Sequence, residues 1–61
     1  MNIAERIMNL RKEQNISQTE LAKRLGVSRQ AVSKWEQGLS SPDTAKLIQL
    51  AEVLKRMDIF L

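Results

Sequence analysis

Gly26 is the residue that most narrows what this chain can fold into. It directly follows an apolar set, Leu21, Ala22 and Leu25, and stands two residues ahead of Ser28, a good helix N-cap. A helix end often needs a left-handed residue, a conformation that only glycine adopts without Cβ strain. One helix therefore stops at Gly26 and the next starts after Ser28. Upstream, Ser17-Gln18-Thr19-Glu20 reads as a capping box, in which the Ser17 hydroxyl serves the N3 amide and the Glu20 carboxylate reaches back to the N-cap amide. Two short helices, each with its own start signal, are thus joined by a three-residue turn.

The flanking segments are helical as well. Ile3, Ile7 and Leu10 fall four and three apart within residues 2–14, with Arg6, Lys12 and Glu13 elsewhere on the wheel, and Asn15 ends that helix. After Ser28, Val32 and Trp35 share one face, while Arg29, Gln30, Ser33 and Lys34 fall on the others. Gly38 to Pro42 is a turn-rich connection, and Asp43 caps a fourth helix carrying Leu47, Leu50, Ala51 and Leu54 at helical spacing. The expected fold is all-α, a compact bundle of four to five short helices forming one domain over residues 1–61.

Composition removes most chemistry. A chain of 61 residues at 43% hydrophobic holds a single core, and with no cysteine and no histidine it has no disulfide, zinc ligand set or thiol nucleophile. Without histidine and tyrosine, acid/base work near neutral pH would rest on a perturbed carboxylate or lysine. Neither an enzyme nor a bound metal or cofactor is expected. The net charge of +3 permits an anionic partner without demanding one. No apolar run approaches the roughly 20 residues that span a bilayer, and the first residues lack a secretory h-region, so a cytoplasmic protein without a membrane partner is expected.

Residues 18–37 taken together form a helix-turn-helix, with apolar residues at Leu21, Ala22, Leu25, Val27, Val32 and Trp35 and a small Ala22 where the helices must approach. Ile16-Ser17-Gln18-Thr19-Glu20-Leu21-Ala22 followed by Gly26-Val27-Ser28-Arg29-Gln30-Ala31-Val32-Ser33-Lys34-Trp35-Glu36 resembles the Cro/C1-type (XRE-family) regulators of phages and bacteria. The resemblance runs from the first helix through Leu54. It implies a lambda-repressor-like DNA-binding domain of five helices, with a recognition helix at about residues 28–37 in the major groove. It further implies a sequence-specific transcriptional regulator of repressor type, a homodimer at least on DNA, bound to a palindromic operator.

On that resemblance the site residues divide by role. Arg29 and Gln30, in the first turn of the recognition helix, meet base edges, where a bidentate arginine suits guanine and a bidentate glutamine suits adenine. Ser33 and Lys34 join them one turn on, each able to meet a base or a phosphate, and Ala31 could touch a thymine methyl. By the family pattern Gln18 contacts phosphate and braces a recognition-helix glutamine, while Ser17 keeps its capping role at a helix end that also offers amides to a phosphate. Gln37, Ser40 and Ser41 match positions that clamp the opposite backbone. Four cations in the motif, Lys23, Arg24, Arg29 and Lys34, stand against Glu20 and Glu36, leaving +2 per subunit. A dimer neutralising about 6 to 8 phosphates would show a log affinity against log salt slope of roughly −5 to −7.

Several residues carry plainer readings. Gly26, Ser28, Val32 and Trp35 are structural, Trp35 packing in the core in preference to stacking on a base. The family pairs an arginine of helix one with a glutamate ending helix three, which implies an Arg11–Glu36 brace in place of two solvated charges. Arg24 is the i,i+4 partner of Glu20, and Lys23 its neighbour, so both stay outside the binding set. Ile59, Phe60 and Leu61 suit a fifth-helix core, a dimer patch or a fragment end. Here the chain departs from the family: Met57-Asp58-Ile59-Phe60-Leu61 keeps part of the usual fifth helix, but Lys55-Arg56 is one residue short and lacks a hydroxyl cap, so that helix frays or helix four runs on. The rival function is a protein-interaction module, of antitoxin or anti-repressor type, on the same scaffold; a membrane-surface amphipathic peptide would not need a glycine turn.

Overall fold

The computed structural model describes residues 2–55, within which four helices run in chain order: α1 (Ile3–Glu13), α2 (Gln18–Leu25), α3 (Arg29–Gln37) and α4 (Thr44–Leu54). All four starts use a side-chain cap. Asn2, Ser17, Ser28 and Asp43 each accept the amide of the residue three further on, at Glu5, Glu20, Ala31 and Lys46. Such caps satisfy amides that have no partner inside the helix. The reciprocal half of the expected capping box is replaced by another bond: the Glu20 carboxylate accepts from Arg24 Nε at 3.0 Å, one turn along the exposed face of α2.

The helix ends follow one repeated device. Gly26 takes φ +70°, its amide bonds back to the Lys23 carbonyl, and the Val27 amide reaches the Ala22 carbonyl at 3.0 Å. The same pair of bonds closes α3 around Gly38 and Leu39, and closes α1 around Asn15 and Ile16, with Asn15 at φ +57°. This is the Schellman arrangement, in which a left-handed residue lets the chain reverse while the last carbonyls stay bonded. α4 stops at Leu54 because Lys55 adopts φ +58°, so helix four does not run on. The segment expected to form a fifth helix, including Met57 to Leu61, lies outside the described residues.

Chain reversals at these points let the helices close around one core. Ile7, Ile16, Leu21, Ala22, Leu25, Val32, Trp35, Leu50, Ala51 and Leu54 are buried in a single cluster. Ile3, Leu10, Val27 and Leu47 cover its margin. Trp35 is thus core, as its place beside Val32 predicts. Ile16 enters the core as the residue following a left-handed reversal, which periodicity within either helix does not reveal, and Ala4 and Pro42 are also buried. No helix of the described residues is long and apolar enough to cross a membrane.

Two helix ends are sealed from a distance. Lys46 Nζ on α4 donates to the Leu25 carbonyl at 3.1 Å, and Gln14 Nε2 donates to the Leu54 carbonyl. Both acceptors belong to the last turn of a helix, where carbonyls lack intrahelical partners.

A Cβ added at Gly26 would meet no atom within 4 Å, so the cost of substitution there is conformational alone. Gly26→Ala is expected to destabilise the chain by about 1 kcal/mol, and Gly26→Asn by less, because asparagine tolerates the left-handed region. Urea unfolding of the three proteins, with slopes held comparable, checks the order.

Candidate nucleic-acid interface

α3 turns one side to the core and the other to solvent. Taking about 100° per residue, Arg29, Ser33, Gln37, Gln30 and Lys34 fall within an arc of roughly 140°, while Ala31, Trp35 and Val32 fill the opposite arc. Burial agrees with that wheel: Val32 and Trp35 are buried, Arg29, Gln30, Lys34 and Gln37 are exposed, and Ser33 is half-buried. Ala31 is half-buried and packs against the core cluster, at the edge of the exposed arc.

The side chains of Gln30 and Lys34 bond to no other described residue. Ser33 Oγ accepts from Gln37 Nε2 at 2.7 Å, which leaves the Ser33 hydroxyl proton available as a donor. At the start of α2, Ser17 caps as expected and lies exposed beside Gln18. Ser40 and Ser41 are exposed in the connection between α3 and α4. The structure thus brings Ser17, Gln18 and the outer face of α3 to one side of the helix pair.

Beneath that face lies a polar network crossing three helices. Arg11 Nε donates to Glu36 Oε2 at 2.7 Å and Arg11 Nη2 to Glu36 Oε1 at 3.0 Å, a bidentate pair whose side chains are only 12% and 4% exposed. The remaining Arg11 nitrogen, Nη1, donates to the Ile16 carbonyl at 2.9 Å, tying α1 to the start of the motif. Glu36 Oε1 also accepts from Gln18 Nε2 at 3.0 Å. Gln18 Oε1 in turn accepts from Arg29 Nη1 at 3.3 Å. The brace expected from Gln18 therefore reaches the arginine of the recognition helix, not its glutamine, because Arg29 stands on the side of α3 that faces α2.

The charges of the motif sort accordingly. Arg24 is spent on Glu20, and Glu36 on Arg11, which leaves Lys23, Arg29 and Lys34 without a carboxylate partner among the described residues. Two of these three, Arg29 and Lys34, stand exposed on α3, and Lys23 on α2.

Because the Arg11–Glu36 pair is almost fully desolvated, removing one partner leaves an unpaired buried charge. Glu36→Ala is expected to cost about 3 kcal/mol of folding stability. Arg24→Ala, which breaks an exposed pair, is expected to cost less than about 0.5 kcal/mol. Chemical denaturation of both variants would expose the contrast, and equal losses would contradict it.

The comparisons with known proteins fit this geometry. A helix-turn-helix family model matches residues 7–59. The chain is 42% identical over 55 residues to the HTH-type transcriptional regulator DicA of Escherichia coli strain K12, an alignment covering 90% of this chain and 41% of DicA. It is 34% identical over 55 residues to the cryptic phage CTXphi transcriptional repressor RstR of Vibrio cholerae, covering 90% of this chain and 49% of RstR. Among solved structures, the P22 c2 repressor in complex with the synthetic operator 9T superposes with a TM-score of 0.87 at 36% identity, over 92% of this chain and 85% of that one. The chain spans between about a quarter and a half of the length of the curated relatives it matches. A family match across nearly the whole length, on a fold whose helix starts, reversals and core all agree with it, means that the chain belongs to the Cro/C1-type helix-turn-helix family.

Proposed function

We propose that this chain is the sequence-specific, double-stranded DNA-binding domain of a cytoplasmic transcriptional repressor, acting as a homodimer on a palindromic operator. The observation that carries this reading is the outer face of α3, where Arg29, Gln30 and Lys34 stand exposed on a helix whose other side is anchored in the core. Its likeness to a repressor bound to operator DNA supports the same reading. Residues 1–61 serve as one binding domain.

In this role α3 enters the major groove. Guanine offers the O6 and N7 acceptors that suit the Arg29 fork, and adenine the N6 donor and N7 acceptor that suit the Gln30 amide. Lys34 and the Ser33 hydroxyl reach the next base or its phosphate. Ser17, Gln18, Gln37, Ser40 and Ser41 hold the backbone on either side, fixing register without reading sequence. Repression follows from occupying the operator, and no cofactor enters the mechanism.

Selection of random duplex DNA on the purified chain, followed by sequencing of the bound pool, tests the reading. A two-fold symmetric site with guanine and adenine opposite Arg29 and Gln30 is the expected outcome; absence of DNA binding would favour a protein partner for the same scaffold. On the selected site, Arg29→Ala should cost about 1 to 3 kcal/mol and relax preference at one base pair. With Lys23 outside the binding set, Arg29 and Lys34 are the unopposed cations each subunit brings to DNA. A dimer is therefore expected to show a log affinity against log salt slope of about −4, shallower than the motif's total charge suggests, measured by titration over a range of salt concentrations.

A further inference from the structure

We propose that Gln37 is a positioning residue that sets the polarity of the Ser33 hydroxyl, so that the middle of α3 offers DNA a hydrogen-bond donor and rejects a cytosine facing it. The inference rests on the DNA-reading role proposed above for α3. A serine is ordinarily ambivalent toward bases, because its hydroxyl can donate to an acceptor or accept from a donor. Here one bond removes that ambivalence. Gln37 Nε2 donates to Ser33 Oγ at 2.7 Å, one turn along α3. Neither side chain bonds to any other described residue, so the Ser33 oxygen already accepts while its proton has no acceptor among them.

Place on the helix turns that proton toward a ligand. Ser33 and Gln37 lie in the middle of the outward arc of α3, with Arg29 on one side and Gln30 and Lys34 on the other, and about 6 Å of helix rise separates Arg29 from Ser33. Once water leaves the groove, an unpaired hydroxyl proton costs more than an unused second lone pair on an oxygen that already accepts one bond. Bases that accept are therefore favoured. Guanine offers O6 and N7, thymine O4 and adenine N7, whereas cytosine shows only its N4 donor in the major groove. A phosphate contact by Gln37 uses its second N–H, so orienting Ser33 and holding the backbone are compatible tasks for one side chain.

The test uses Gln37→Met, which removes the bond, and Gln37→Glu, whose carboxylate only accepts and so draws the Ser33 proton away from DNA. Each is made alone and together with Ser33→Ala. The quantity read is the ratio of affinities for the selected site and for the same site with cytosine at the position where Ser33→Ala relaxes preference, because a ratio cancels any loss that falls on all sites alike. Gln37→Met should lower that ratio by about three- to tenfold, the worth of one hydrogen bond. Gln37→Glu should bring it below one, and neither should change it in the presence of Ser33→Ala. In the chain without DNA, Ser33→Ala should move one of the two Gln37 Nε2 proton resonances while the urea midpoint stays close to that of the parent.

The proposal is overturned if Ser33→Ala relaxes preference nowhere, if cytosine is itself the base selected there, or if Gln37→Met lowers affinity equally on both sites. A Gln37→Glu ratio equal to the parent's would show that the hydroxyl already donates to the amide, and ratio changes that persist with Ser33→Ala would show Gln37 reading the base itself; either result defeats it. So would an unmoved Gln37 resonance in Ser33→Ala. Failure of the parent chain to bind any duplex would instead overturn the function on which the inference rests, and would do so with the resonance shift intact, so the two failures are told apart.

Discussion

The bidentate contact between Arg11 and Glu36 is the interaction on which the geometry of the rest depends. It joins the last turn of α1 to the end of α3, and through the Ile16 carbonyl and Gln18 it also grips both sides of the turn into α2. Burying two charges costs about as much as their attraction returns, so the pair contributes little net stability compared with apolar groups of the same volume. What it does contribute is direction. Apolar side chains hold helices together without fixing their rotation, whereas a fork of two parallel hydrogen bonds admits one orientation of α3 relative to α1.

Around that brace the fold is built from reversals. α1, α2 and α3 each end on a left-handed residue, and the residue after it is apolar: Ile16, Val27 and Leu39. Ile16 and Val27 pack on the core, so the same local geometry that ends a helix also delivers a core side chain from the turn. In a chain of this length, where surface is large relative to volume, apolar residues contributed by turns enlarge a core that four short helices alone would leave thin.

Most of this was legible because it is local. Gly26, Ser17, Ser28 and Asp43 announce helix limits within a few residues of themselves, and the partition of α3 into an outer and an inner face follows from its period. Lys55 was not legible, since a lysine in a left-handed conformation has no local signature; neither were the links from Lys46 to Leu25 and from Gln14 to Leu54, which join residues far apart in sequence. Glu20 shows a further limit. Its spacing from Ser17 suits a capping box and its spacing from Arg24 suits an ion pair, and the exposed pairing with Arg24 is the one adopted. The resemblance implied a brace from Gln18, but its target depended on which residue of α3 faces α2, and that is settled by helix packing, not by the motif.

The same network bears on how such a surface could discriminate. Three of the motif's six charges cancel locally or inward, since Arg24 meets Glu20 and Glu36 meets Arg11, and the expected backbone contacts at Ser17, Gln18, Gln37, Ser40 and Ser41 are neutral. In the proposed role, such neutral donors to phosphate would release few counterions, so the sequence-independent part of binding would be small for each subunit. Under the proposed function, a larger share of the free energy must then come from base edges, where a wrong base leaves donors unpaired. A single subunit would bind weakly everywhere. Repeating its reading across a two-fold axis converts the second contact into an intramolecular one, which raises affinity at paired half-sites far more than at isolated ones. A modest charge on α3 is therefore a physical reason for such a domain to work as a pair.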